Sequence, residues 1–592
     1  MKFLKTFLAA LLAFVVGSFL FVVIWLVILV GLAGSMDHKV KVPSKAVLML
    51  DFAELVTDAP SSDPFAGFDP LTLQATPQIS LMSVLRAVEA AETDDRIEGI
   101  YLRMNGTGGC SMAQIEEIRA ALENFRTSGK FIIAYNETYT QGQYYLASVA
   151  DALYIQPEGG LDWSGLSTNI MMYKGLLDKL DIRVEVFRPT ACKYKSAVEP
   201  YILSRMSDAN REQMQALVNS LWNTISDKVC EARGIDPETM RRITDNLEAT
   251  LPEEALALGF VDGLRYEDEM EEVFAELGVD LSDEGDCEFI TLGDYTTQVG
   301  IDPKRLTADQ VAVVYASGQI VDGEGSGSDI YGNTLAATLR DVRLDGKVKS
   351  VVLRVDSPGG SALASDVIWR EMELLRAEKP VVVSMGSYAA SGGYYISCPA
   401  DFILADELTL TGSIGVFGMF PYTADALKNK LGITLDGVKT NTSAGMGTLA
   451  PLTAAERASI MRGVDKVYES FTGKVADGRN LTVEHVLDIA GGRVWSGRDA
   501  LEIGLVDGLG GLREAIAVAA DKAGLGENFR VREVVEEPSG LAAIISALNA
   551  RVHAAFDTTS ELGALMHEYK QVRDALSVQG IVMYEPRILR FE

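Results

Sequence analysis

Histidine is scarce in this sequence: His38, His485, His553 and His567 are the only four in 592 residues. His38 sits beside a long apolar run and two others lie in the C-terminal tail, so a Ser-His-Asp triad has only His485 to draw on. Cysteine is nearly as sparse. Cys110, Cys192, Cys230, Cys287 and Cys398 form no CxxC pair and are odd in number, which argues against a zinc site and against a full disulfide framework. Positive charge is also short, with 53 Lys and Arg against 83 Asp and Glu and a net charge of -30. Nucleic-acid affinity draws on clustered basic residues, so no nucleic-acid partner is expected. The bland consequence is an acidic, solvated surface. Nothing in the pattern calls for a metal or a cofactor.

What the sequence does hold begins with FLAALLAFVVGSFLFVVIWLVILVGLAG, 28 residues from Phe7 to Gly34 without a charge. About 20 apolar residues suffice to cross a bilayer as a helix. A secretory signal core is only about 7 to 15 residues long, so a retained anchor is expected rather than a cleaved leader. Lys2 and Lys5 precede the run while Lys39, Lys41 and Lys45 follow it, so charge bias does not set the orientation. A short N-terminal stub in the cytoplasm is the default.

The rest of the chain repeats itself. GIYLRMNGTGGC from Gly99 lies over SVVLRVDSPGGS from Ser350, QYYLASVADALYI from Gln143 over GYYISCPADFILA from Gly393, and EALALGFVDGL from Glu254 over DALEIGLVDGL from Asp499. The offset stays between 245 and 251 residues, so two homologous domains are predicted. Each copy reads as βα units, with VVLRV a buried parallel strand, Ile368, Met372 and Leu375 a helical stripe, and VVVSM the next strand. Thr453 and Glu456 have capping-box spacing and predict a helix start. The acidic stretch from Tyr266 to Gln310 reads as a linker.

Duplication makes the differences between the copies informative. In MGSYAASGGYYISCPAD, Ser391 stands where the first copy has Gln141, and Ala390 where it has Thr140. A turn that merely needed small residues would look alike in both copies, whereas a duplicated enzyme can lose one of two nucleophiles. A serine hydroxyl needs a base. The first copy offers Lys195 in CKYKSAVEP, and the second has Thr442 at the counterpart in GVKTNTSAG. One copy keeps a serine and the other a lysine, which makes Lys195 the preferred base over His485. Burial of the amine would favour its neutral, proton-accepting form.

Glycines complete the set. An oxyanion is held by backbone N–H groups that need close approach, and SPGGS offers Gly359 and Gly360 while Gly392 follows the serine directly.

These blocks, DSPGGS, MGSYAASGGYYISCPAD, TGSIGVFG, KYKSAVEP and GGRVWSGRDALEIGLVDGLGG, resemble the long, duplicated form of the signal peptide peptidase A family. The resemblance runs from about Ala46 to Arg530. It implies an α/β fold of two tandem Clp/crotonase-like ββα-superhelix domains after one N-terminal transmembrane helix. The expected division is stub and anchor 1–45, first domain 46–300 with the lysine, second domain 308–530 with the serine, and tail 531–592. The resemblance further implies a membrane-anchored serine endopeptidase with Ser391 as nucleophile and Lys195 as general base, without cofactor. Its expected substrates are cleaved signal peptides and other hydrophobic segments, its assembly a homotetramer, and its place the bacterial inner membrane with the catalytic domains outside the cytoplasm. A non-proteolytic crotonase-like scaffold, or an acyl-transfer enzyme at the membrane, is the alternative that fold alone leaves open.

Overall fold

The structure, a computed structural model, describes residues 17, 42–52, 55–60, 68–69, 74–75, 78–104, 109–281, 287–298, 309–535 and 581–584. The apolar run 7–34 lies outside the described residues except for position 17. Among the described residues no helix is long and apolar enough to cross a membrane.

Each copy is built on a sheet of parallel strands. In the first copy, β1 (Ala46–Leu50), β2 (Ile97–Arg103), β3 (Phe131–Tyr139) and β4 (Ala152–Leu161) lie side by side in the order β4, β3, β2, β1. Between β2 and β3 runs α1 (Met112–Arg126), and α2 (Gln141–Ala147) follows β3. A further strand, β5 (Arg183–Phe187), leaves this sheet, and the chain then enters the 26-residue α3 (Asp208–Arg233).

The second copy repeats the plan in an eight-stranded sheet. Its centre is β6 (Gln310–Ser317) and β7 (Val348–Ser357), followed by the short β8 (Gly359–Ser361), α4 (Ala362–Arg376) and β9 (Val381–Ala390). Then come α5 (Gly392–Ser397), β10 (Leu410–Gly412), β11 (Phe417–Tyr422) and α6 (Ala454–Arg479), also 26 residues long. Strand β7 pairs in parallel with β6 and β9, and nearly every residue in it is buried. Both faces are therefore covered, which is why it reads as an unbroken apolar run. Helix α4 turns Ile368, Met372 and Leu375 into the core. At the start of α6 the Thr453 side chain accepts the N–H of Glu456, and Glu456 Oε2 accepts the N–H of Thr453 at 2.6 Å, completing the capping box.

One expectation needs correcting. The stretch read as a linker from Tyr266 contains a helix, Met270–Glu276, and a strand, Glu288–Thr291, that pairs in parallel with β1. Met270, Val273, Phe274 and Val279 pack into a buried cluster with Tyr101 and Tyr135. Charge dominated the count there, but the few apolar residues have helical spacing and find a sheet face to cover. Near the other boundary, Arg530–Val534 adds an edge strand beside β6, so the second sheet runs past residue 530.

The two copies pack on each other over a broad front. Glu117 Oε2 of α1 accepts the N–H of Leu512 at 2.6 Å, Ser220 and Ser496 hydroxyls lie 2.8 Å apart, and Lys228 joins Glu116 to Glu407.

Candidate active site

Strand β9 ends in small residues, and the chain then makes a turn that few side chains tolerate. Ser391 has φ of 57° and ψ of -111°, a left-handed conformation for a residue with a β-carbon, and it caps α5. Such strain is held only when the surroundings over-determine it. Here the Ser391 N–H donates to Gly412 O of β10 at 2.9 Å, and the Tyr395 N–H donates to Ser391 O at 2.9 Å. Gly393 is equally constrained, since a β-carbon there would meet Ser357 O at 2.6 Å. The small residues of this stretch are thus what lets the serine stand at the head of α5 against the end of β7.

Lys195 arrives from the other copy. After β5 the chain makes a compact loop, with the Cys192 N–H donating to Pro189 O and the Lys195 N–H to Cys192 O, and then a 3-10 turn over Ser196–Val198. Helix α3 fastens this loop: Gln213 Nε2 donates to Tyr194 O and Ser196 Oγ, while Ser196 Oγ donates to Asn210 Oδ1 at 2.9 Å. Second-copy glycines make room for it. A β-carbon on Gly492 would lie 2.5 Å from Lys195 Cβ and 2.7 Å from its Cα, and Gly492 has φ of 82°.

The two residues meet. Lys195 Nζ donates to Ser391 Oγ at 2.8 Å, and both side chains are fully buried. The same amine lies 2.8 Å from Ser413 Oγ and 3.1 Å from Ser413 O. Sequence reasoning assigned no role to Ser413, although it lies in the TGSIGVFG block; like Ser391 it has a positive φ, 49°. Gln141, opposite Ser391 in the first copy, accepts the N–H groups of Ser164 and Gly165 and donates to Gly165 O. It fastens a loop where the second copy has a hydroxyl. His485 is exposed on a short helix and contacts Ile503 O, and Thr442 is exposed as well.

The glycine turn lies against the serine. A β-carbon on Gly392 would come within 3.1 Å of both Gly359 Cα and Gly360 N, so the three glycines are in mutual contact. The Gly359 N–H donates to Ser357 Oγ at 3.2 Å.

Behind the site, β7 carries a buried ionic cluster. Arg354 is fully buried and donates to Ser384 Oγ at 2.9 Å, Met385 O at 3.2 Å and Asp58 Oδ1 at 3.1 Å, with Glu117 Oε1 2.6 Å away. Burial opposes its charge, but Asp58, Glu117, Asp406 and Asp356 together hold it charged. Asp356, one residue before Ser357, accepts the Tyr388 N–H at 2.9 Å. Burial, and next the charge of Asp58, push its carboxyl up to about 7. Burial likewise raises Glu117 and Asp406. Two of these groups, Asp58 and Glu117, come from the first copy, so the cluster ties the copies together immediately behind the glycine turn.

An amine at hydrogen-bond distance from a strained, buried hydroxyl, with backbone amides beside it, has the parts that a serine hydrolase uses. Residues 124–281 and 373–526 each match Peptidase family S49. Protease 4 of Salmonella typhi is 37% identical over 524 residues, covering 86% of this chain and 84% of that protein. Protease 4 of Haemophilus influenzae is 37% identical over 455 residues, covering 74% and 72%. Serine protease SPPA, chloroplastic, of Arabidopsis thaliana is 33% identical over 497 residues, covering 82% and 72%. The chain belongs to peptidase family S49, carries its domain twice, and is a serine protease.

Proposed function

We propose that the chain is a membrane-anchored serine endopeptidase in which Ser391 attacks a peptide carbonyl and Lys195 is the general base. The observation that supports this reading is the 2.8 Å contact between Lys195 Nζ and Ser391 Oγ in a fully buried setting. Lys195 takes the hydroxyl proton as the carbonyl carbon bonds to Ser391 Oγ, and returns a proton to the leaving amine. Water then cleaves the acyl-enzyme ester and restores the serine. Ser413 orients the amine toward Ser391 through its hydroxyl and carbonyl. The oxyanion is held by the Gly392 amide with that of Gly360, since the Gly359 amide is directed to Ser357 Oγ.

Each copy is read as a Clp/crotonase-like domain, over 46–300 and 308–530, and the run Phe7–Gly34 as the single-pass anchor of an inner-membrane protein whose catalytic domains face away from the cytoplasm. A site tethered to a membrane suits remnant signal peptides and other hydrophobic segments. Assembly into a tetramer is supported by an asymmetry between the copies. Arg183–Phe187 of the first copy is paired on β11, whereas the matching part of the second exposes Leu431, Ile433, Leu435 and Val438. A second chain can cover that surface.

The catalytic assignment is tested by Lys195→Arg and Ser391→Ala in the full chain. A guanidinium stays protonated and cannot act as a base. Both variants should fold and lose at least about a thousand-fold in kcat/KM. Retention of most activity by Lys195→Arg would overturn the assignment.

A further inference from the structure

The seam between the two copies holds more acid than base. Three buried carboxyls, Asp58, Glu117 and Asp406, and the inward-turned carboxyl of the half-buried Asp356 gather on the single guanidinium of Arg354. Glu116 and Glu514 add negative charge on the side of Asp406, and Tyr315, in register with Arg354 on β6, is kept neutral by burial. One positive charge cannot balance four negative ones in a site shielded from water, so the cluster has to hold protons. Among the described residues, no three of its carboxyls converge closely enough to hold a metal ion.

The geometry locates one of these protons. Asp58 and Asp356 come from different copies and meet at Gly386 of β9, where a β-carbon would lie 3.1 Å from both Asp58 Oδ2 and Asp356 Cβ. The two carboxyls are hydrogen-bonded to each other. Ionised carboxylates are acceptors only and cannot make such a bond, so one of the two carries a proton. Their other oxygens are already taken: Asp58 Oδ1 accepts from Arg354 Nη2 at 3.1 Å and Gln114 Nε2 at 3.4 Å, and Asp356 Oδ1 accepts the Tyr388 N–H at 2.9 Å. Burial and the charge of Asp58 push the Asp356 carboxyl up to about 7, as expected of a pair that keeps one proton near neutral pH.

Asp356 stands at the root of the glycine turn. The hydroxyl of the next residue, Ser357, accepts the Gly359 N–H and donates to Gly318 O at 2.7 Å, while the Gly318 N–H donates back to Asp356 O at 3.0 Å. Ser357 O also touches the nucleophile helix, since a β-carbon on Gly393 would lie 2.6 Å from it. Between Val355 and Ser357, β7 shifts register against β9, and the Asp356–Tyr388 hydrogen bond spans that irregularity. A displacement of Asp356 therefore reaches both the turn that holds the oxyanion and the strand that ends at Ser391.

We propose that Asp58 and Asp356 are positioning residues for the reaction: they share one proton across the seam, and this proton sets the glycine turn against Ser391. The inference rests on the reading of Ser391 and Lys195 given above. Once the proton is lost, two carboxylates confront each other beside Gly386 and the turn shifts, so the pair favours turnover below about pH 7 and opposes it above. The growing neutral fraction of Lys195 acts in the opposite direction, so the effect is read as a ratio of variant to wild type at each pH.

The test uses the full chain with Asp356→Asn and, separately, with Asp58→Asn. In either, an amide N–H stands in for the shared proton and does not titrate. The ratio of kcat/KM, variant to wild type, should rise at least about five-fold between pH 6 and pH 8.5, because titration of Lys195 is common to both and cancels. A merely structural role would leave the ratio flat. Infrared spectra in D2O should show a protonated-carboxyl C=O band that fades through about pH 7 in the wild type and is missing in Asp356→Asn. A flat ratio in both variants, or the same fading band in Asp356→Asn as in the wild type, would overturn the proposal. Turnover by Ser391→Ala would instead sink the nucleophile assignment, and the infrared comparison would still report on the shared proton.

Discussion

Lys195 and Ser391, 196 positions apart and in different copies of the duplicated domain, share a 2.8 Å hydrogen bond within one chain. The broad contact between the copies makes that bond possible: α3 holds the lysine loop, and Gly492 lets it approach.

A pair formed within one chain makes a definite statement about mixed assemblies. Ser391→Ala and Lys195→Ala subunits, unfolded together and reassembled, should recover no activity above either alone, because no chain holds both residues. Recovery of a substantial fraction of wild-type turnover, with mixed oligomers confirmed by mass, would mean that the pair forms between chains.

Gly492→Ala tests how closely the lysine is held. The new β-carbon would need a left-handed backbone and would lie 2.5 Å from Lys195 Cβ. A shift of about 1 Å in a catalytic group costs on the order of 100-fold in rate. The variant should lose about that much kcat with little change in KM, as read by steady-state kinetics.

Ser413→Ala should leave the fold intact and lower kcat by roughly ten- to a hundred-fold, because the amine keeps the Ser413 carbonyl but loses the hydroxyl that aims it. Ser413→Thr, which keeps the hydroxyl, should recover part of the loss. His485→Ala should be nearly silent, since that ring is exposed and meets Ile503 O.

Asp356 gives a pH dependence of stability. Its folded carboxyl titrates at about 7, raised from an unfolded value of about 4, so the native state holds the proton more tightly. The stability this group contributes is fully present below about pH 4 and is lost as pH rises through about 7. Melting temperatures across pH 5 to 8 should therefore decline less for Asp356→Asn than for the wild type. A steeper decline in the variant would mean that the carboxyl is not held protonated by burial.

The serine and lysine were legible because duplication supplies an internal control, each residue standing out against a copy that lacks it. The strand and helix plan was legible in the same way, from apolar runs and stripes that recur at a fixed offset. Ser413 was not, because its contact with Lys195 depends on a positive-φ turn that brings its hydroxyl to the amine, and only its small, glycine-flanked setting hints at this. The segment from Tyr266 was misread because acidic composition masked Met270, Val273 and Phe274, whose spacing was the better guide. Arg354 announced itself as a charge inside an apolar strand, but its carboxylate partners Asp58, Glu117 and Asp406 are distant in sequence and only the packing of the copies unites them. The strand Ile581–Tyr584 had no signal, since the tail matches neither copy and its pairing depends on edges formed elsewhere.

The most direct measurement is the site and rate of labelling by a fluorophosphonate probe, read by mass spectrometry of the digested full-length protein. A reagent of this kind bonds to a serine whose hydroxyl is activated by a neighbouring base. The account predicts a single adduct at Ser391, formed rapidly in the wild type and essentially lost in Lys195→Ala and Lys195→Arg although both remain folded. Labelling of a different serine, or labelling of Ser391 at an unchanged rate in Lys195→Ala, would contradict it.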